Sequence, residues 1–244
     1  MRRFTLPPER VVDGRVTFDA GESRHLARVL RLRPGDTVVA TDGAGRDYTV
    51  RLDTVGEAAT GTVLAAERGT PESPLAITLV QGVPKGDKME AIVRAATELG
   101  VARVRPALCE RTIVRLEPGR WRERARRWQR VAREAAKQCG RAVIPEVEAP
   151  RPLVEWLAAK DPVDLALCFW EGGGVPLAQA LGDMRAARSA LLVVGPEGGL
   201  SPAEVDAART HALTVTSLGP RILRTETAGP AVVALLQARF GDLR

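Results

Sequence analysis

The sequence has few cysteines and few histidines, and each shortage excludes a class of site. Its three cysteines, Cys109, Cys139 and Cys168, are odd in number and far apart, so we expect buried free thiols rather than a disulfide framework or a metal-ligand cluster. With only His25 and His211, and no Gly-x-Ser-x-Gly motif, zinc chemistry and a serine triad lack their residues. We therefore expect chemistry that needs no bound metal.

Long hydrophobic runs and nucleotide-binding motifs are also absent. No apolar run approaches the roughly 20 residues of a membrane-spanning helix, and the amino terminus lacks the apolar core of a signal peptide. Neither Gly-x-Gly-x-x-Gly nor Gly-x-x-x-x-Gly-Lys-Ser/Thr occurs, which argues against a dinucleotide-binding Rossmann site and a P-loop. With 244 residues, 27% charged and 45% hydrophobic, the composition predicts a soluble globular protein, which we expect to be cytoplasmic.

Positive charge is present, and it is concentrated in one segment. The net charge is +6, but residues 111–141 contain eleven basic and three acidic side chains and are therefore +8. The rest of the chain is then −2, since 6 minus 8 is −2. A local basic patch of this kind is typical of a surface that binds a polyanion.

The pattern of secondary structure changes at a proline-containing linker, residues 69–74. Before it, short β-prone runs alternate with Gly and Pro turns around one helix at about 23–32, which predicts a small β-barrel-like domain. In that helix Leu26 and Val29 lie on the apolar side, and Arg24, Arg28 and Arg31 share a face that is either solvated or in contact with nucleic acid. After the linker, strands alternate with helices, which predicts an α/β domain.

The α/β domain contains five predicted strands and five predicted helices. The strands are residues 75–80, 101–105, 164–169, 190–194 and 213–217. The helices are residues 88–99, 121–139, 176–187 and 201–211, and a last one with the apolar positions Val232, Leu235, Leu236 and Phe240. The helix at 201–211 begins with a capping box, Ser201-Pro-Ala-Glu204.

The helix at 121–139 shows two stripes at helical spacing. The apolar stripe consists of Trp121, Ala125, Trp128, Ala132, Ala135 and Cys139, and the basic stripe consists of Arg122, Arg126, Arg130, Arg133 and Lys137. We predict that the tryptophans pack in the core rather than stack on bases. Five like charges in a line repel one another unless a polyanion is present, so we interpret the basic stripe as a phosphate-binding face rather than a solvated one.

Three glycine-containing loops follow the last three predicted strands, at residues 170–174, 195–199 and 218–220. The carboxyl ends of parallel strands meet at one edge of a sheet, where ligands usually bind. The loops therefore either line a ligand site or serve only as turns with positive φ. The third loop belongs to the polar stretch 217–228, for which the alternative is a plain turn and a helix capped by Thr225.

Six stretches resemble the bacterial 16S rRNA uracil-N3 methyltransferases of the SPOUT superfamily, in the same order and over nearly the whole chain. They are His-Leu-Ala-Arg-Val-Leu-Arg at 25–31, Lys-Gly-Asp-Lys-Met-Glu at 85–90, Glu-Leu-Gly-Val at 98–101, Glu-Ala-Ala-Lys-Gln-Cys-Gly-Arg at 134–141, Val-Gly-Pro-Glu-Gly-Gly at 194–199 and Leu-Gly-Pro-Arg-Ile-Leu-Arg-Thr-Glu-Thr-Ala at 218–228. The sequence departs from the family at Cys139, where a small serine-like residue is expected.

The resemblance implies a PUA-like RNA-binding β-barrel domain over residues 1–70 and an α/β domain with a parallel sheet and a trefoil knot over residues 71–244. It implies a homodimer, S-adenosylmethionine as methyl donor and a uridine of the small-subunit decoding region as substrate. The implied cofactor-binding residues are Phe169, Gly195, Glu197, Gly199, Ser217, Leu218, Gly219, Ile222 and Leu223. The candidate RNA-binding residues are Arg3, Arg24, Arg28, Arg31, Arg122, Arg126, Arg130, Arg133 and Lys137.

Uracil N3 carries a proton at neutral pH, so the reaction needs a group that removes it or stabilises the anion. Glu226 or Glu197 could act as the base, and Arg224 or Arg221 could neutralise the developing charge. We expect Arg224 with Glu226. Two alternatives remain open: a related methyltransferase with another rRNA or tRNA target, such as a ribose 2′-hydroxyl, and a non-catalytic RNA-binding assembly factor.

Overall fold

A computed structural model describes residues 3–243 of the chain. These residues form two compact units. The first contains residues 3–72 together with residues 133–144, and the second contains residues 73–132 together with residues 145–243. The predicted domain boundary between residues 70 and 71 stays a prediction. No helix within the described part of the chain is both long enough and apolar enough to span a membrane.

The first unit is built on a six-stranded sheet with the strand order β1-β4-β5-β6-β3-β2. The strands are β1 (Arg3–Thr5), β2 (Val11–Val12), β3 (Arg15–Thr17), β4 (Thr37–Thr41), β5 (Arg46–Thr54) and β6 (Thr60–Arg68). β1 pairs with β4 in parallel, and the other neighbours are antiparallel. Alternate residues of these strands, such as Val38 and Ala40, are fully buried with Phe4 and Leu26 in one apolar core, as the period of two requires.

The helix predicted at 23–32 differs from the observed one. A 3₁₀ turn (Pro8–Arg10) precedes it, and α1 (Ala20–Arg24) then continues as a π-helical turn (His25–Val29). Leu30 N–H donates to the His25 carbonyl over five residues, which changes the angular position of each later side chain. Val29, expected on the apolar side, is therefore 68% exposed. Arg31 has φ of +52° and lies beyond the helix, so its expected alignment with Arg24 and Arg28 is wrong.

The second unit is built on a sheet with the strand order β10-β8-β7-β13-β11-β14-β12, and β9 pairs with β8. The strands are β7 (Ala76–Gly82), β8 (Arg103–Leu108), β9 (Glu146–Val147), β10 (Arg151–Pro152), β11 (Leu165–Phe169), β12 (Val175–Pro176), β13 (Ser189–Val194) and β14 (Thr214–Ser217). All these pairs are parallel, which confirms the predicted α/β class. The two-residue strands escaped prediction because they are too short to show a period.

Helices connect these strands. They are α2 (Lys88–Glu98), α3 (Pro118–Cys139), α4 (Leu153–Ala158), α5 (Leu177–Leu181), α6 (Pro202–Thr210) and α7 (Thr225–Phe240). The capping box of α6 is confirmed: Glu204 N–H donates to Ser201 Oγ, and Ser201 N–H donates to Glu204 Oε2. The helix predicted at 176–187 is wrong in length, because Gly182, with φ of +48°, ends α5.

The stripe predicted on α3 is confirmed except at its end. Trp121 and Trp128 are 6% and 1% exposed, and the alanines of the stripe are also buried. Cys139, however, at the last residue of α3, is exposed, so its predicted burial is wrong. Cys109 and Cys168 are buried as expected, and burial raises the pKa of the Cys168 thiol to about 12. On α7, Val232 and Leu236 are buried, but Leu235 is 49% exposed, so its predicted burial is wrong.

Candidate functional site

The three glycine-containing loops lie at one edge of the second sheet. β13, β11 and β14 are neighbours and run parallel, with Phe169 paired to both Val194 and Thr216. The loops that leave their carboxyl ends line a single cavity of about 580 Å³. Since that size lies in the ~300–1,000 Å³ range of small-molecule sites, the cavity is a candidate ligand site.

The cavity wall contains all nine residues predicted to bind a cofactor, Glu197 among them, together with Arg221 and Arg224. The individual residue predictions left out further wall residues: Trp170, Glu171, Pro196, Gly198 and Pro220, which lie in the predicted loops, and Val194, Thr216, Thr225 and Ala228. Most of these residues are next to predicted residues in the sequence, so the position of the three loops was the signal that could have identified them as part of the cavity wall. Glu226, a predicted catalytic residue, is not part of the wall.

Two glycines bring the backbone of the second loop close to its surroundings. Gly199 has φ of +70°, and a Cβ atom there would lie 1.8 Å from Oε1 of Glu171, a residue of the first loop. A Cβ atom on Gly195 would lie 3.0 Å from the carbonyl carbon of Gly199. The absence of side chains at these positions therefore lets the backbone of the second loop pack closely against the first loop and against itself.

A buried hydrogen-bond network joins the second loop to α7. Thr225, 5% exposed, donates from Oγ1 to the Gly195 carbonyl at 2.7 Å, and its Oγ1 accepts from Gln81 Nε2 at 3.0 Å. Thr225 is therefore not the helix cap that the alternative interpretation of this stretch required; the N-cap residue is Arg224, which makes no side-chain cap hydrogen bond. Gln81, at the end of β7, was not predicted, because nothing local distinguishes it from other buried strand residues.

An ionic cluster lies at the start of α2. Lys88 Nζ is 3.2 Å from Glu197 Oε1 and 3.2 Å from Glu226 Oε2. The hydrogen bond from its own backbone N–H lowers the pKa of Glu226, and Lys88 and Arg224 lower it further. The hydrogen bond to Glu226 raises the pKa of Lys88. Both predicted carboxylate bases therefore contact the same ammonium group.

Family comparisons identify this architecture. A family model described as an RNA methyltransferase domain matches residues 71–237, and one described as an RNA methyltransferase PUA domain matches residues 18–57. The Ribosomal RNA small subunit methyltransferase E of Synechocystis is 34% identical over 97% of this chain and 77% of its own length. The chain belongs to the ribosomal RNA small subunit methyltransferase E family. The enzyme of the same name from Bacillus subtilis is 30% identical over 85% of this chain and 83% of its own.

Solved structures of this family share the fold. A Ribosomal RNA small subunit methyltransferase E from Neisseria gonorrhoeae, crystallised with S-adenosylmethionine, aligns with a TM-score of 0.90 and 34% identity, covering 100% of both chains. A putative methyltransferase from Legionella pneumophila, in complex with the same cofactor, aligns with a TM-score of 0.92 and 29% identity over 100% of this chain and 99% of that chain. These matches confirm the α/β fold and the PUA domain.

The predicted RNA-binding residues of this family member fall into two groups. Arg24, Arg28, Arg31, Arg122, Arg126 and Arg130 are exposed. Arg3, Arg133 and Lys137 are less accessible: Arg3 Nη1 lies 2.7 Å from Asp47 Oδ1, and Lys137 Nζ lies 2.8 Å from Glu22 Oε1 with 7% of the side chain exposed. The exposed cations of the first group are directly accessible to a phosphate, whereas Arg3 and Lys137 are held in ion pairs and Arg133 is half-buried.

Proposed function

We propose that this chain transfers a methyl group from S-adenosylmethionine to uracil N3 in 16S rRNA of the small ribosomal subunit. The observation that carries the proposal is the cavity formed by three adjacent loops at the carboxyl edge of the parallel sheet, in a chain of the rRNA small subunit methyltransferase E family. The proposed domain division is residues 1–70 for RNA binding and residues 71–244 for catalysis.

The cavity suits a cofactor held mainly through backbone groups. Gly195, Gly199 and Gly219 line it without side chains, and Leu218, Ile222 and Leu223 supply apolar surface. Glu171 and Glu197 contribute carboxylates, which complement a cationic cofactor. S-adenosylmethionine, when bound, supplies an electrophilic methyl group on a sulfonium. The chain must then hold the uracil in line with that group, which is largely a matter of positioning.

The polar residues of the cavity have distinct roles in this proposal. Arg224, exposed at the cavity wall, stabilises the negative charge that develops when uracil loses its N3 proton. Glu226 and Glu197 are the candidate bases. The lowered pKa of Glu226 keeps it ionised at neutral pH but weakens it as a base. Glu197 lies on the cavity wall and Glu226 does not, which favours Glu197 as the carboxylate that contacts the uracil directly.

The exposed arginines of α3 and those of the helix at 20–29 are proposed to bind phosphates of the RNA substrate. Arg122, Arg126 and Arg130 are spaced by four residues, so they follow one face of α3. Phosphate binding by such a row is sequence-independent, and the cavity then selects the nucleotide. A homodimer is part of the proposal, and Ile222, 81% exposed at the cavity wall, is the kind of apolar side chain that a second subunit or the substrate would cover.

The experiment is methyl mapping. Purified protein is incubated with tritiated-methyl S-adenosylmethionine and either small subunits or free 16S rRNA that lack the modification, and the methylated nucleoside is identified by mass spectrometry. We expect 3-methyluridine at one site. Methylation of a ribose 2′-hydroxyl would contradict the uracil-N3 assignment, and binding of RNA without any methyl transfer would contradict the enzyme. Large subunits are the matched control and should stay unlabelled.

The catalytic assignment has its own kinetic test. Loss of a general base or of a charge-stabilising group lowers the single-turnover rate by about 10²–10⁴-fold. We expect losses in this range for Arg224→Ala and for Glu197→Gln, and a smaller one for Glu226→Gln. If Arg224→Ala and both glutamine variants retained the wild-type single-turnover rate, the assignment would be wrong.

A further inference from the structure

Lys88, the first residue of α2, contacts two segments that are distant in the sequence. Its ammonium nitrogen lies 3.2 Å from Oε1 of Glu197, in the second loop, and 3.2 Å from Oε2 of Glu226, in the first turn of α7. The second loop and the segment that leads into α7 both line the cavity, whereas Lys88 does not. Any effect of Lys88 on the site is therefore transmitted through its two partners.

The two carboxylates depend on this cation. The side chains of Lys88, Glu197 and Glu226 are 29%, 17% and 32% exposed, so water screens them only in part. Oε2 of Glu226 is buried, and the ammonium group of Lys88, 3.2 Å away, compensates its charge. Without the ammonium group, two carboxylates that now share one cation would repel each other.

The acidic residues near Lys88 in the sequence are paired with a different cation, so Lys88 is available to Glu197 and Glu226. Asp87, which precedes α2, and Glu90, in its first turn, are paired with Arg127 at 3.6 Å and 2.9 Å. The Lys85 backbone N–H donates to both carboxylate oxygens of Glu197, at 3.2 Å and 3.3 Å. The turn before α2 therefore holds Glu197 from one side through the backbone, while the Lys88 side chain joins it to Glu226.

We propose that Lys88 is a positioning residue that fixes the second loop, residues 195–199, to the first turn of α7 and so holds the cavity in its cofactor-binding shape. Its consequence for cofactor affinity rests on the proposed function. The attachment of the second loop to α7 by Lys88 does not rest on the proposed function, because Lys88 joins these two segments in the protein without any ligand.

Hydrogen exchange on the ligand-free full chain directly tests whether Lys88 holds the second loop to the first turn of α7. We expect Lys88→Met to speed amide exchange in residues 195–199 and 225–228 several-fold. Lys85→Met is the matched control, because it removes the same charge from the same turn but leaves the backbone N–H that binds Glu197. The exposed Lys85 side chain makes no described ion pair, so this variant should exchange like the wild type. Equal exchange in wild type and Lys88→Met would overturn the proposal.

Calorimetry with S-adenosylmethionine measures the consequence. Loss of two partly exposed ion pairs of ordinary strength predicts that Lys88→Met raises the Kd about 5-fold. Lys88→Arg should restore most of the affinity, and combining Lys88→Met with Glu226→Gln should cost less than the sum of the single effects. A Kd unchanged by Lys88→Met would overturn the proposal, as would a loss of RNA affinity alone. If the wild type bound no cofactor, the proposed function would fail, and the exchange result would still decide the role of Lys88.

Discussion

Thr225 Oγ1 donates a 2.7 Å hydrogen bond to the carbonyl oxygen of Gly195, thirty residues earlier in the chain. The same hydroxyl accepts from Gln81, so one buried oxygen atom joins the end of β7, the second loop and the start of α7. The second loop is therefore held to the start of α7 by a buried hydroxyl group of the protein itself.

Thr225→Val removes this hydroxyl while keeping the shape of the side chain. The buried Gly195 carbonyl would keep only the long 3.4 Å hydrogen bond from Gln81 Nε2. We therefore expect a loss of about 1–3 kcal/mol in the free energy of unfolding, measured by urea titration. Thr227→Val, at an exposed position on the same helix, is the control and should change it by less than about 0.5 kcal/mol. Equal losses for the two variants would contradict the structural role of Thr225.

Gly82→Ala should push the second loop out of place. A Cβ atom at Gly82 would lie 2.4 Å from Pro196 N and 2.7 Å from the Gly195 carbonyl carbon, both of them backbone atoms that cannot rotate away. We expect a loss of about 1–3 kcal/mol in stability, seen as a lower Tm, and weaker cofactor binding. Gly119→Ala lies in the first turn of α3, where a Cβ atom would make only an ordinary contact, 3.9 Å from Arg122 Nη2. It should leave both unchanged or raise the Tm slightly.

The stability contributed by Glu226 should depend on pH. Its pKa is lowered from 4.5 in the folded protein, so its contribution is present above 4.5 and is lost as the pH falls through the lowered pKa. We expect the difference in unfolding free energy between wild type and Glu226→Gln to be constant near neutral pH and to shrink below pH 4.5. The same titration with Glu155→Gln, an exposed position on α4, provides the comparison. A difference that grew in acid would contradict the lowered pKa.

The exposed arginines of α3 should determine the salt dependence of RNA binding. Replacing Arg122, Arg126 and Arg130 with glutamine removes three phosphate contacts, so the slope of log K against log salt should fall by about 2, at roughly 0.7 per contact for a single strand. The control removes the same charge elsewhere in the second unit, at the exposed residues Arg185, Arg188 and Arg209. If both triple variants changed the slope equally, net charge rather than the α3 row would explain the binding.

Lys137 should matter more for stability than for RNA. Its ammonium group and the Glu22 carboxylate are 7% and 8% exposed, so Lys137→Met leaves a buried carboxylate without its cation. We expect a loss of about 3–5 kcal/mol in the free energy of unfolding, whereas Arg126→Met, exposed on the same helix, should have little effect. Adding Glu22→Gln to Lys137→Met should recover part of the loss. A change in the RNA salt slope without a change in stability would support the original phosphate-binding prediction instead.

The sequence predicted the parts of this protein that depend on local periodicity. Spacings of three and four residues placed Trp121 and Trp128 on the buried side of α3, and the capping box fixed the start of α6. The β-branched runs predicted the strands whose loops share one edge, because parallel strands bring their carboxyl ends together. Predictions based on α-helical spacing were wrong at the π-helical turn, because the number of residues per helical turn is different there.

By itself, then, the sequence determined the α/β class, the position of the three loops and a basic face on α3, since these follow from the residue pattern within each element. Only the tertiary structure decided which side chains meet: Lys88 with Glu197 and Glu226, Thr225 with Gln81, and Lys137 with Glu22. The partners in the last two pairs are 144 and 115 residues apart. Such contacts depend on the register of strands and the path of loops, which no local period encodes.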